Sequence, residues 1–330
     1  MSVGRWLTPT LVAASLLAIF AACLLGSTPL PADRVLAAFL GGGDAGDRLV
    51  VWTIRLPRAL AAFLVGAALG LSGAALQGLL RNPLAEPGVL GVSATASLAA
   101  TFSLYYGLVA LSPWILPLAA IAGALAATGL LALAAIRTRS VVTLILIGVG
   151  LSSFAGALMS LLLNIAPNPF SLSDMISWML GSVANRSFDE IVLALPFLIA
   201  GSAILLLTRR GLSALTLGEE AASGVGLNLR NQRIFTVLGA GLATGASVAL
   251  AGAIGFVGIV APHLVRPFVK HDPARSLIPS ALLAGLILVV ADIGVRIIPT
   301  TNELKLGVVA ALLGAPVFVW IAMQRRAAYD

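Results

Sequence analysis

A chain that hydrolysed ATP by itself would need a glycine-rich loop ending in Gly-Lys-Ser/Thr, because backbone amides and a lysine must surround the phosphates. The two lysines, Lys270 and Lys305, both lack that context. The two histidines, His263 and His271, have no cysteine or paired carboxylates beside them. Neither an acid–base pair nor a metal ligand set is legible, so no catalytic and no metal-ligating residue is assigned. His263, in GFVGIVAPHLVRPF, is read as a helix-end residue. The single Cys23 excludes an internal disulfide or a cysteine-held cluster and is expected as an inert packed thiol.

An ion-coupled carrier would place ionisable groups in mid-membrane, where a charge is costly unless transport uses it. Asp292 is read as the one such residue inside an apolar span, near its outer end. Arg296 follows four residues later, the spacing of a simple helical ion pair. Arg55 and Arg58 are three apart and flank Pro57, so the proline can start a helix from which both guanidinium groups project together. The segment LGEEAASGVGLN, from Leu217, has the acidic first turn and closing glycines of a short helix.

The elements that must position these residues are membrane spans. Of 330 residues 59% are hydrophobic and only 10% are charged, against about 45–50% and about 25% in an ordinary soluble domain. A hydrocarbon core about 30 Å thick needs roughly 20 apolar residues in helix. About ten such stretches are read, at 7–25, 59–80, 92–110, 114–136, 141–163, 190–208, 234–253, a short 255–269, 276–295 and 305–323. The longest loops are 26–58, 164–189 and 209–233, too short for a soluble domain, so residues 1–330 form one transmembrane domain. The triplet Ala21-Ala22-Cys23 resembles a lipoprotein cleavage box, but the uncharged run Leu7 to Leu25 is longer than a usual leader core.

The net charge of +7 needs no nucleic acid. With a cytoplasmic N-terminus, Arg5, Arg81, Arg137, Arg139, Arg209, Arg210, Arg230, Arg233, Arg266, Lys270, Arg275, Arg325 and Arg326 face inward, and the other seven of the 20 basic residues face outward. That asymmetry places both termini in the cytoplasm. The glycines are expected to pack helices closely. GAALGLSGAALQG from Gly66 and GAGLATGASVALAG from Gly239 read as weak copies running in opposite directions, as in an inverted repeat of spans two to five and seven to ten.

RLPRALAAFLVGAALGLSGAALQGLLRNPLAEPGVLGVS, from Arg55 to Ser93, closely resembles the hallmark segment of the FecCD-type permeases. LGEEAASGVGL from Leu217, GFVGIVAPHLVR from Gly255 and NELKLGVVAALLGAPVF from Asn302 fit the same family in the same order. The resemblance implies an all-α polytopic permease of the type II ABC importers in the bacterial inner membrane. Its implied partners are two copies of an ATP-binding subunit, which hold ATP and Mg, a periplasmic substrate-binding protein, and a second permease, giving a homodimer embedded in lipid. No cofactor is expected on this chain. The implied substrate is a ferric siderophore, haem or cobalamin. A secondary carrier and a non-transporting membrane assembly subunit are the alternatives. Family members often carry an uncharged residue where this chain has Lys305.

The resemblance also implies three sites. Arg55, Arg58 and Arg296 would receive carboxylates of the binding protein at the outer surface, which suits the planar fork of arginine. Within a coupling loop at about 211–230, Leu217, Gly218, Glu219, Glu220, Ala221, Ala222, Ser223 and Gly224 would dock in the ATPase, the two glutamates at the contact. Asn82 and Leu84, facing Val141 and Val142, would form a cytoplasmic gate whose apolar side chains close by excluding water.

Overall fold

The computed structural model describes residues 4–26, 28–138, 140–298 and 303–326, and among them every regular element is helical. The α-helices are α1 (Gly4–Leu24), α2 (Ala32–Phe39), α3 (Ala45–Leu49), α4 (Leu56–Leu79), α5 (Val92–Tyr105), α6 (Ile115–Arg137), α7 (Val141–Asn164), α8 (Pro169–Met179), α9 (Phe188–Leu207), α10 (Arg209–Ala214), α11 (Glu219–Gly224), α12 (Leu229–Ala251), α13 (Val257–Val265), α14 (Pro273–Ile297) and α15 (Leu306–Arg326). Seven helices among the described residues are long and apolar enough to cross a membrane, and Val257–Val269 and Leu306–Val319 are shorter apolar ones. The 14-residue α5 falls where the span at 92–110 was expected. The long loops hold further helices, α2 and α3 in the first and α8 in the second, none of which was expected from the sequence.

Each addition has a local cause. Pro169 starts α8, and the Asn168 side chain accepts from the Ser171 amide at 2.9 Å as its cap. Helix α2 is amphipathic: Val35 and Ala38 pack with Cys23 and Val51, while the Trp52 indole donates to the Ala38 carbonyl at 3.0 Å. Cys23 is a buried thiol there. A π-helical turn, Val50–Arg55, then joins α3 to α4, so one helical run covers Ala45–Leu79.

Helices α4 and α12 are the most enclosed spans, because small residues let their neighbours come to backbone contact. A Cβ added at Gly66 would meet the Ala284 carbonyl at 2.4 Å, and one at Gly70 the Ser280 carbonyl at 2.4 Å, so α4 runs antiparallel along α14. Likewise a Cβ at Gly241 would lie 2.1 Å from Thr128 Oγ1 and one at Gly245 2.3 Å from Ala124, which sets α12 antiparallel to α6. Span two thus packs on span nine and span seven on span four. That is the exchange of partners an inverted repeat of spans two to five and seven to ten requires.

Two breaks interrupt the helices within the body of the fold. After α4 the Asn82 side chain accepts from the Leu84 amide at 3.0 Å and turns the chain back. The chain climbs beside α4 until Pro87 lies against Gly258, whose own neighbour on α4 is Leu69. Leu69 is ten residues before Leu79, so Pro87 stands about 15 Å above the end of α4. Only there do a 3-10 turn (Pro87–Leu90) and Gly91, at φ +79°, launch the short α5. The second break is Gly252 to Phe256, between α12 and α13, with Gly252 at φ +70° and Phe256 at φ +65°.

Candidate functional site

The first group of candidates gathers where α4 begins, α14 ends, and the chain enters α15. Arg58 donates to both oxygens of Asp292 from Nε (3.0 and 3.1 Å) and again to Oδ1 from Nη2 at 2.7 Å. It also donates to both oxygens of Glu303, at 3.1 Å from Nη1 and by a further contact from Nη2. Arg296 Nε lies 3.2 Å from Asp292 Oδ2, and its Nη1 donates to the Ala22 carbonyl at 3.0 Å. Arg55 donates to the carbonyls of Cys23 and Leu24 at 2.9 Å each, and to that of Thr28.

The helical pair expected between Asp292 and Arg296 is therefore present, with Arg58 as a second partner. The expectation that Pro57 starts a helix from which Arg55 and Arg58 project together is corrected: the helical run begins at Ala45, Arg55 turns to backbone carbonyls and Arg58 to Asp292 and Glu303, and the side chains of Arg58 and Arg296 are 10% and 8% exposed, with Arg55 also buried. The reason is Asp292, whose side chain is 1% exposed. A carboxylate taken out of water must be matched by charge and hydrogen bonds, and the nearest guanidiniums are drawn in to supply them. Glu303, at 40% the most exposed member, was not singled out in the sequence. Its signal was its position two residues before Lys305; Asn302, just before it, lies outside the described residues.

The second group lies at the opposite end. Gly211 approaches the Gln232 side chain closely, Ser213 Oγ donates to Asp272 at 2.6 Å, and Leu212 is buried, so α10 is fixed to the bundle. A 3-10 turn, Leu215–Leu217, leads through Gly218 at φ +100° to α11. Only glycine takes that conformation without strain. Arg233 Nη2 donates to both oxygens of Glu219 at 2.9 Å. Glu219 is spent on the protein's own helix, whereas Glu220, Ala221, Ser223 and Gly224 are exposed and Ala222 is buried. Leu217, 68% exposed, and Val225, 70% exposed, bracket that surface with apolar side chains.

The third group surrounds the two breaks. Asn82 is exposed and makes the turn already described, Leu84 and Val141 are half-buried, and Val142 is exposed at the start of α7. Above them the Glu86 carboxylate accepts from the Phe256 amide at 3.1 Å, tying one break to the other. Glu86 lines a cavity of about 320 Å³ with Ser93, Ser97, Ser152 and Met159, and the Ser97 hydroxyl is buried without a hydrogen-bond partner. Met179, Ala253 and Gly255 border this cavity and also an open apolar groove of about 910 Å³ whose far wall is α15, from Gly307 to Val319. Glu86 was missed in the sequence because a glutamate between two loop residues gives no sign that the loop climbs into the bundle.

A model of the FecCD transport family matches residues 14–324. The vitamin B12 import system permease protein BtuC of Citrobacter koseri is 39% identical over 323 residues, covering 98% of this chain and 95% of that one. BtuC of Salmonella paratyphi A is 42% identical over 285 residues, covering 85% and 86%. An uncharacterized ABC transporter permease protein, YvrB, of Bacillus subtilis is 38% identical over 319 residues, covering 91% and 88%. A solved metal-chelate type ABC transporter chain in an inward-facing conformation superposes with a TM-score of 0.86 at 28% identity, covering 96% of this chain and 98% of its own.

Proposed function

The chain belongs to the FecCD transport family and is a multi-pass membrane permease of an ABC importer, and on that premise we propose that it conducts a bulky metal chelate, a corrinoid or a ferric siderophore or haem complex, between two copies of itself. The observation that carries this reading is the apolar groove of about 910 Å³ along α15, which is bordered by the second helix break, shares Met179, Ala253 and Gly255 with the cavity at the first, and is lined by no charged residue. Interrupted helices meeting in a membrane bundle are where transporters hold their cargo, since the freed backbone groups then line a cavity. A single chain leaves the groove open on one side, and a second copy set against it would close a pathway. Nothing in the charge arrangement favours an ion-coupled carrier, because Asp292 is taken up by Arg58 and Arg296.

In this reading the chain lies in the bacterial inner membrane with the α11 end and both termini in the cytoplasm. It holds no cofactor. ATP and Mg are bound by two ATP-binding subunits, which receive α11 and its neighbours through Leu217, Glu220 and Val225. Asn82, Leu84, Val141 and Val142 form the inner constriction. Arg55, Arg58 and Arg296 form the receptor for a periplasmic substrate-binding protein, each copy of the permease presenting the set once. The test is uptake into proteoliposomes that contain the permease, its ATP-binding subunit and its binding protein, offered labelled cyanocobalamin, haem or a ferric hydroxamate in parallel. ATP-dependent accumulation of one of them is expected. Uptake that needs an ion gradient and ignores ATP would overturn the proposal.

A further inference from the structure

Among the described residues the cluster at the head of α4 holds three guanidinium groups, from Arg55, Arg58 and Arg296, against two carboxylates, Asp292 and Glu303. The two carboxylates are not alike. Asp292 is enclosed and bonded to two arginines, so it cannot leave without stranding them. Glu303 belongs to no helix, stands three residues before the start of α15, is 40% exposed, and among the described residues engages Arg58 alone. Its departure would cost little, because water is at hand to solvate it. Arg296 Nη2, buried and without a hydrogen-bond partner, is a further donor unspent in the same cluster.

We infer that Glu303 is a built-in occupant of the receptor, holding Arg58 while the permease is unengaged and yielding to a carboxylate of the arriving binding protein. This rests on the docking role proposed above for the arginines. The exchange replaces one carboxylate on a planar fork by another, so it keeps the hydrogen bonds of Arg58 while freeing the segment 303–305. That segment leads directly into α15, whose Gly307 amide donates to the Gly181 carbonyl at 3.1 Å and whose next turns form the groove wall. Docking would then be felt at the pathway through release of one side chain, with no rearrangement of the enclosed Arg58–Asp292–Arg296 core.

The test uses the full transporter in nanodiscs and a purified substrate-binding protein that supports uptake in the same reconstituted system. If Glu303 holds Arg58 about nine-tenths of the time, Glu303→Gln should bind that protein about tenfold more tightly, since the competent fraction rises from about one-tenth to nearly all. Hydrogen exchange at the start of α15 should rise in Glu303→Gln alone to the level that the native permease reaches only when engaged. Glu303→Asp, whose shorter side chain reaches Arg58 less well, should fall between the two. Arg58→Glu should lose binding altogether. Should Arg58→Glu bind normally, the docking reading itself falls. If Arg58→Glu loses binding while Glu303→Gln leaves affinity and exchange unchanged, or weakens binding, the docking reading survives and the occupancy of Arg58 by Glu303 is refuted.

Discussion

At the scale of single residues, burial decides which charges are structural. Asp292 is matched by Arg58 and Arg296 in an enclosed site, so Asp292→Leu should leave Arg296 without a counter-charge and cost about 3 kcal/mol or more. Glu303→Gln removes a half-solvated partner and should cost less than about 1 kcal/mol. Denaturation in detergent, read by helical signal, would show the order of the two; equal losses would mean that the cluster is held together by Glu303 as firmly as by Asp292. The same contrast separates Glu219 from Glu220. One is bound to Arg233, which is itself buried, and the other faces water, although the sequence presents them as an indistinguishable pair.

Among the helices, the close approach of α4 to α13 depends on residues that lack a Cβ. One added at Gly73 would fall 1.9 Å from the Gly258 carbonyl, so Gly73→Ala must push two backbones apart, at a cost of roughly 1–3 kcal/mol. Gly129→Ala on α6 meets nothing within 4 Å and should be neutral or slightly stabilising. Thermal unfolding of the two variants in one detergent checks the contrast, and equal melting points would show that α4 and α13 are not held so closely. Helix α11 gives a prediction of the opposite kind. Glu220→Arg should leave thermal stability unchanged but weaken co-purification of the ATP-binding subunit by tenfold or more, whereas Glu219→Gln should lower stability through Arg233. Undiminished ATPase recovery with Glu220→Arg would remove α11 from the contact.

For the molecule as a whole, the proposed function requires that an inner constriction close and open between two copies. Cysteines placed at Asn82 and Val142 in a Cys23→Ser background should crosslink when the permease is held without nucleotide and become accessible to a soluble thiol reagent in another stage of the cycle. Free access of both in every state would mean that the turn at Asn82 only ends α4. The apolar surfaces left uncovered by one copy agree with such an assembly. Leu146, Phe154 and Leu161 on α7, and Leu312, Leu313 and Val319 on α15, are all exposed in the single chain, and lipid or a second copy must cover them.

The sequence by itself determined the solvent, the class and most of the architecture. Apolar runs of membrane length admit few structures besides helices, because backbone groups in lipid must be satisfied within their own segment. The Gly66 and Gly239 segments already carried the inverted repeat, since small-residue spacing along a helix is a local property that survives folding. The short helix α11 was legible for the same reason, being contained within two turns, whereas the head of α4 was not: Pro57 lies inside a helical run that begins at Ala45, and Arg55 and Arg58 turn to different partners. What only the tertiary structure decided were the relations between distant residues. No spacing along the chain joins Arg58 to Glu303, or Glu86 to the amide of Phe256, because each pair is brought together by the packing of α4 against α13 and α14. Nor could spacing tell that the loop after Asn82 re-enters the bundle, since the height at which a chain turns depends on what it packs against. The same holds for the charge that Arg58 carries inward: exposure is a property of the neighbours a residue acquires, and Asp292, more than two hundred residues away, is the neighbour that set it.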